Sequence, residues 1–372
     1  MKSFQAVISS LFLAFLLPLS GSAQTDALSL DLEGFGQIIL EQSKSPDRIE
    51  SSQLIFKRPG GMRELIDSYD GLLPADLHKY DLDADNSPEI IALLKHPDGI
   101  DIMPHIYRLD ENFQRVFPPS DTQDFAPIIC RELVLTANDS TPMLCTKNPV
   151  NIHEFGPPEL YELEYYRLNR GKLELFDHSY SDGDHFNILM NRGAIAFNEC
   201  NYLEAVEYYN QAISSSTGEI TTKAFIEALF FLAEARKFTK DFSSALPLYQ
   251  KIVLEFKQNQ RTDAAQREFE LISANIVNSD ALSYLVDVMI LVNSNKLEEA
   301  LTMVTARPDN TSCLDDRFLF VKAEILAAQN RINDAIVAFN QLKETFPASP
   351  LIDETDRLLQ DLQEDPAEAN GL

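Results

Sequence analysis

The chain has 372 residues, 45% of them hydrophobic, and a formal net charge of −27, with an isoelectric point near 4.5. That length and apolar content suit two folded domains. The charge argues against nucleic acid and anionic membrane surfaces as partners, because both need Lys and Arg to neutralise phosphate.

Residues 1–23 read as a secretory signal peptide. Lys2 supplies a short positive start, Phe4 to Leu19 is mostly apolar, and Gly21-Ser22-Ala23 places small residues at a cleavage site. No Cys stands at the cut to carry a lipid anchor, and no later stretch approaches about 18 consecutive apolar residues. The expectation is a protein secreted across the inner membrane, most simply into a bacterial periplasm, with no transmembrane segment in the mature chain.

Residues 24–183 read as a β-rich domain. QIILEQ, SQLIFK, EIIALLK, MPHIYRL, FAPIICRELVL and YELEYYRL are short runs rich in Ile, Leu, Val and Tyr, bounded by Pro, Gly, Asp and Asn. Arg58-Pro59-Gly60-Gly61 marks a turn, and Asn169-Arg170-Gly171 joins two runs as a hairpin. MRELIDSY, from Met62 to Tyr69, fits a short helix or a strand equally well. Short antiparallel strands with tight turns predict a small, mostly antiparallel β domain.

The sharpest motif of this domain is YDLDADNSPE, from Tyr80 to Glu89, which runs straight into EIIALLK. Asp81, Asp83, Asp85 and Glu89 occupy places 1, 3, 5 and 9 of a tight loop, where carboxylates converge on one cation. Hard oxygen ligands suit Ca2+. Place 6 is Asn86 and place 12 is Ala92, so the loop is no EF-hand. It resembles the DxDxDG-x-PE loop of integrin-type FG-GAP (VCBS) repeats, and that resemblance implies a calcium-holding loop between two strands. With one copy here, a propeller does not follow. A bare turn, in which Asp and Asn cap their own backbone, is the alternative.

After Ser181-Asp182-Gly183-Asp184 the apolar period becomes helical, and residues 184–363 form a second domain, followed by a polar tail over 364–372. NYLEAVEYYNQA, from Asn201 to Ala212, recurs as DFSSALPLYQKI, NKLEEALTMVTAR and NRINDAIVAFNQL. Aligned on Ala205, Ala245, Ala300 and Ala335, the copies carry Tyr209, Tyr249, Val304 and Phe339 one turn later. Twelve residues earlier stand Gly193, Ala233, Val288 and Ala323. A small residue belongs where the two helices of a hairpin cross, and a large one fills the gap beside it.

This pattern resembles the tetratricopeptide repeat. The third copy departs from it at Val288 and Arg307, and QRTDAAQREFELISANIV (Gln260 to Val277) intervenes as an extra helix. PLIDETDRLLQDLQ (Pro350 to Gln363) is an end helix. The resemblance implies an α-helical solenoid in which the first helices line a groove for a protein or peptide partner. The groove positions it implies are Asn187, Met190 and Phe197; Glu227, Phe230, Glu234 and Lys237; and Phe320 and Glu324. Each of these also suits packing against the β domain or the extra helix.

Cys130 and Cys145 lie in neighbouring strand-like runs that a disulfide could join, while Cys200 and Cys313 read as buried free thiols. The six histidines are scattered, and no HExxH, GxSxG or GxxxxGKS occurs. The functional expectation is a non-enzymatic interaction module, a scaffold or adaptor of the bacterial cell envelope. The alternatives are a calcium-dependent surface or adhesion protein using the Asp81–Glu89 loop, and a hydrolase built on the β domain.

Overall fold

The computed structural model describes residues 27–44, 50–110, 112–118, 128–138, 141–150, 152–153, 159–215, 220–256 and 259–364. The signal-peptide stretch 1–23 and the tail beyond 364 lie outside the described residues. Contacts divide the chain into two units, Met1–Val150 with Leu160–Asp182, and Asn151–Glu159 with Gly183–Leu372. The short segment Asn151–Glu159 falls between two β-strands in sequence yet belongs with the helices.

The first unit is three successive four-stranded antiparallel meanders. The first takes β1 (Ala27–Leu32), β2 (Gly36–Lys44), β3 (Glu50–Lys57) and β4 (Arg63–Asp70). The second takes β5 (Leu73–Tyr80), β6 (Glu89–Lys95), β7 (Ile102–Arg108) and β8 (Arg115–Phe117). The third takes β9 (Glu132–Asn138), β10 (Thr141–Val150), β11 (Leu160–Asn169) and β12 (Lys172–Tyr180). MRELIDSY resolves as strand β4.

The middle sheet is a true inner layer. Ile90, Ala92 and Leu94 of β6 pack with Ile38, Leu40, Leu54 and Phe56 of the first sheet. Ile91 and Leu93, on the opposite face, pack with Leu144 and Leu168 of the third. That is why EIIALLK reads as a continuous apolar run and not as an alternating one. Consecutive four-stranded meanders stacked by their faces are how propeller blades repeat, although three are fewer than a closed ring takes. Between the first two sheets, Tyr69 and Tyr107 share a hydroxyl hydrogen bond, and Tyr107 donates to Asp67 Oδ2 at 2.6 Å. Arg115 Nη1 completes this half-buried polar tie at 3.1 Å from the same oxygen. Cys130, which bridges to Ile102 just before β9, and Cys145 of β10 are both buried free thiols.

The second unit holds ten α-helices among the described residues. Four hairpins pair α1 (Phe186–Asn198) with α2 (Tyr202–Ser215), α3 (Thr222–Phe238) with α4 (Phe242–Glu255), α6 (Ser279–Asn293) with α7 (Leu297–Thr305), and α8 (Asp315–Ala328) with α9 (Ile332–Thr345). The extra helix is α5 (Thr262–Asn275), and α10 (Ile352–Glu364) follows the last hairpin. The stretch Thr262–Asn293 is long and apolar enough to cross a membrane, with a mean hydropathy of 1.3 over its richest window. That was not evident from uninterrupted apolar runs. In this unit, however, Leu282, Leu285, Val286 and Val288 of the stretch pack in the helical core.

All four hairpins turn the same way. Cys200, Lys240, Asn295 and Asn330 each adopt a left-handed conformation, with φ of 62°, 62°, 56° and 59°. The next residue donates its N–H back across the turn, from Asn201 to Ala196, Asp241 to Arg236, Lys296 to Leu291 and Arg331 to Leu326, at 2.8–2.9 Å. This is the Schellman closure of a helix, made here without glycine. The turn alanines are all fully buried.

The crossings explain the irregular third copy. At Gly193 an added Cβ would stand 2.6 Å from the Tyr209 ring, so a full-sized aromatic fits only because glycine faces it. Ala233 and Tyr249 are buried in one core, and Ala323 and Phe339 in another. The third hairpin has Val288 and Val304, both buried: the larger crossing residue is matched by a smaller partner. Total volume, not the residue type at one place, is what the crossing conserves.

Candidate functional site

The positions the repeat resemblance points to lie on the first helices. In hairpin two they converge, but on the chain's own α5. Helix α5 packs on α4 through Ala265 and Ile272. The residue before it, Arg261, reaches across to α3. Its guanidinium lies 2.9 Å from Glu227 Oε2 and 4.9 and 5.0 Å from the ring centres of Phe230 and Phe231. Further along, Lys237 Nζ stands 2.8 Å from Glu234 Oε2 and 3.1 Å from Glu268 Oε2 of α5. The Tyr249 hydroxyl donates to the other Glu234 oxygen.

Burial pulls the Lys237 ammonium down, but the two carboxylates outweigh it and the group is held charged. Burial pushes the Glu234 carboxyl up, against the pull of Lys237. Two carboxylates sharing one ammonium away from water depend on that ammonium.

Of the two roles open to the groove positions, most of them take the packing role here. Glu227, Phe230 and Lys237 are buried because α5 covers the side of α3 that a plain array of hairpins would leave open. Met190 is fully buried in the core of hairpin one with Phe186 and Leu189. Phe320 is buried edge-on against Phe339, 5.7 Å between ring centres. Phe197 is half-buried, edge-on to Tyr202 and Phe238. Glu324 is exposed on α8. It sits apart from the hairpin-two cluster, as does Phe320, whose core is shared with α9 and α10.

Asn187 leads to what the sequence did not reveal. Its carbonyl accepts one hydrogen of the Asn191 side-chain amide at 2.9 Å, which fixes that amide on α1. The rest of the amide faces the His153 backbone. Asn191 Oδ1 accepts the backbone N–H of His153 at 2.8 Å, and Asn191 Nδ2 donates to the His153 carbonyl at 3.2 Å. A side-chain amide carries the same donor and acceptor as a peptide group, so it reads backbone and not side chain. The His153 ring lies against Phe231, tilted at 57°, with 4.8 Å between centres. Burial, then the nearby Arg261 charge, lowers the imidazole to about 4 and keeps it neutral. Asn191 is itself only 2% exposed. The sequence signal is a polar residue one turn beyond Asn187 on the apolar side of FNILMNRGAIAFN, beside Met190 and Gly193.

In the first unit the acidic loop connects β5 to β6. Ligand oxygens of Asp81, Asp83 and Glu89 lie within 4.8 Å of one another. Asp85 stands outside that group: it accepts the Ser87 N–H at 2.6 Å, while its own N–H faces Asp81 and Asp83. Asn86 takes a φ of 68° and donates to Asp81 Oδ2 at 3.0 Å. Glu89 is buried; one oxygen accepts the Leu82 N–H at 2.8 Å, and the other, Oε1, has no hydrogen-bond partner. Burial pushes this carboxyl up to about 7; the Leu82 amide opposes the shift and the Asp83 charge adds to it. Three hard oxygen donors with one orphaned buried oxygen fit a divalent cation. The backbone bonds of the loop also close it as a turn without one.

No family model matches the chain, and no curated protein matches it. Among solved structures, the chain is similar to a Rap conjugation gene regulator of the plasmid pLS20 in complex with a Phr peptide, at 18% identity over 50% of each chain, with a TM-score of 0.24. It is similar to a tetratricopeptide repeat protein from Parabacteroides merdae at 16% identity over 47% of this chain and 71% of that one, TM-score 0.23. A thermophilic tetratricopeptide repeat protein from Thermus thermophilus matches at 14% identity over 50% of this chain and 100% of that one, TM-score 0.20.

Proposed function

We propose that this is an exported protein–protein interaction module, a scaffold or adaptor of the bacterial cell envelope whose helical unit binds a protein or peptide partner. One observation carries the reading. The α1–α3 face already holds a non-helical piece of polypeptide, with Asn191 on its backbone and Phe231 under its ring. Export rests on the leader-like sequence of residues 1–23. No catalytic step is assigned to the chain. The test is crosslinking in the native envelope followed by mass spectrometry. A specific partner is expected with the wild type and with Leu203→Ser, which alters an exposed residue of α2. Asn191→Ala and Phe231→Ala are expected to lose it, and equal capture by all four proteins rejects the proposed face.

A second reading, a calcium-dependent surface or adhesion protein, is favoured by the orphaned Glu89 Oε1 beside Asp81 and Asp83. Asp81, Asp83 and Glu89 would hold the ion, with Asp85 shaping the loop, and the ion would stiffen the β5–β6 connection. Titration calorimetry with Ca2+ decides it. Heat is expected from the wild type and not from Asp83→Ala, and a silent wild type removes the reading.

A further inference from the structure

We propose that Arg108 is the resident counter-ion of the acidic β5–β6 loop, and that a divalent cation binds there by displacing its guanidinium from Asp83. The inference rests on the loop holding Ca2+, and adds to it what the ion competes with and where its arrival is felt.

The register of β6 and β7 sets Arg108 directly opposite Glu89. By the alternation of a strand, both side chains leave the face on which Ile91 and Ile106 pack with the third sheet. Opposite charges so placed across two strands ordinarily pair, and a guanidinium can meet both oxygens of a carboxylate. This pair is not made. Glu89 turns one oxygen to the Leu82 N–H and leaves Oε1 without a partner. Arg108 instead carries Nη2 to 3.8 Å from Asp83 Oδ2, and its own Nε is buried without a partner. At that distance the contact is one of charge and not a hydrogen bond. The guanidinium therefore offsets the charge of the loop and leaves a buried polar atom unmet on each strand.

A small ion supplies what the guanidinium does not. Ligand oxygens of Asp81, Asp83 and Glu89 lie within 4.8 Å of one another, close enough for one hard cation to draw on all three. Arg108 cannot stay against Asp83 when it does. Two cations on one carboxylate repel. Arginine keeps its charge in proteins, so the conflict is relieved by movement and not by loss of a proton. The same Nη2 lies against the β11–β12 turn, where a Cβ added at Gly171 would stand 3.6 Å from it. A displaced guanidinium changes its contact with that turn. Ion binding beside the second sheet is thereby felt in the third.

The test is titration calorimetry with Ca2+ on the full chain. Arg108→Met is expected to bind the ion about tenfold more tightly than the wild type, the size of effect that a charge so close has on an ionised neighbour. Arg108→Gln carries the same expectation should the methionine variant fail to fold. Arg131→Met removes a like charge at the opposite end of β7, where Arg131 pairs with Asp101, and is expected to bind as the wild type does. Displacement itself is read by NMR from the Gly171 backbone amide. Ca2+ is expected to shift that signal in the wild type and to leave it in place in Arg108→Met. A wild type that binds, with the Arg108 variants no tighter than it or than Arg131→Met, overturns the counter-ion and leaves the calcium site standing. A Gly171 signal that saturating Ca2+ does not move in the wild type overturns it as well. A silent wild type removes the calcium reading, and this inference with it.

Discussion

The seam where the helices cross and the face formed by α1 and α3 belong to the same helices and obey different rules. The seam repeats: buried alanines at the turns, a small residue against a large one, and the same left-handed closure four times. The face does not repeat. Asn191, Phe231, Arg261 and Lys237 each occur once, and each contacts something other than its own hairpin partner. Repetition records what stacking requires, while the residues that depart from it record what this chain in particular holds.

The largest break should come at Lys237. Lys237→Met leaves Glu234 and Glu268 buried without their cation, and is expected to cost about 3–5 kcal/mol, read as a lowered denaturation midpoint with an unchanged slope. A seam of alanine and aromatic residues has no comparable dependence on charge.

The face should also respond to acid where the seam does not. The His153 imidazole is lowered to about 4 from an ordinary 6.5. Below pH 6.5 the unfolded chain takes up a proton that the folded chain refuses, so stability falls as pH drops from about 6.5 to about 4. The loss is at most about 3 kcal/mol. His153→Phe is expected to flatten that part of the stability profile, which denaturant melts at several pH values would show.

The seam is best probed at Gly193. Gly193→Ala drives a methyl into the Tyr209 ring. Overpacking costs about 1–3 kcal/mol and the gain in helix propensity returns about 1, so a net loss of up to about 2 kcal/mol is expected in thermal melts. A melting temperature at or above the wild type would mean that Tyr209 is free to move. The smallest effect has the opposite sign. Cys200 holds a left-handed conformation that costs a side chain about 1 kcal/mol, so Cys200→Gly is expected to raise stability by up to that amount.

The same comparison explains what was legible beforehand. The hairpins, their register and the extra helix could be read because alanine and aromatic residues recur at fixed distances. β6 could be read because both its faces are buried. β4 was ambiguous because only Tyr69 of its eight residues is buried, which leaves no alternation to follow. The third hairpin departs from the pattern at each single position, whereas Val288 and Val304 compensate as a pair. The covering of hairpin two was hidden because Arg261 lies 34 residues from Glu227, outside any repeat. In the acidic loop, three of the four expected carboxylates meet, and Asp85 is drawn away by the backbone bond to Ser87. Asn191 follows no repeat rule; its place in an apolar run marks it, and its hydrogen bonds show what it holds.

The measurement that bears most directly on the central claim is deuterium exchange at the His153 backbone amide, in the wild type and in Asn191→Ala. Slow exchange in the wild type is expected, with exchange accelerated at least tenfold in the variant while the α1 and α3 amides keep their protection. A His153 amide that exchanges in the wild type at the rate of an unstructured chain, or one that Asn191→Ala leaves unchanged, would contradict the account.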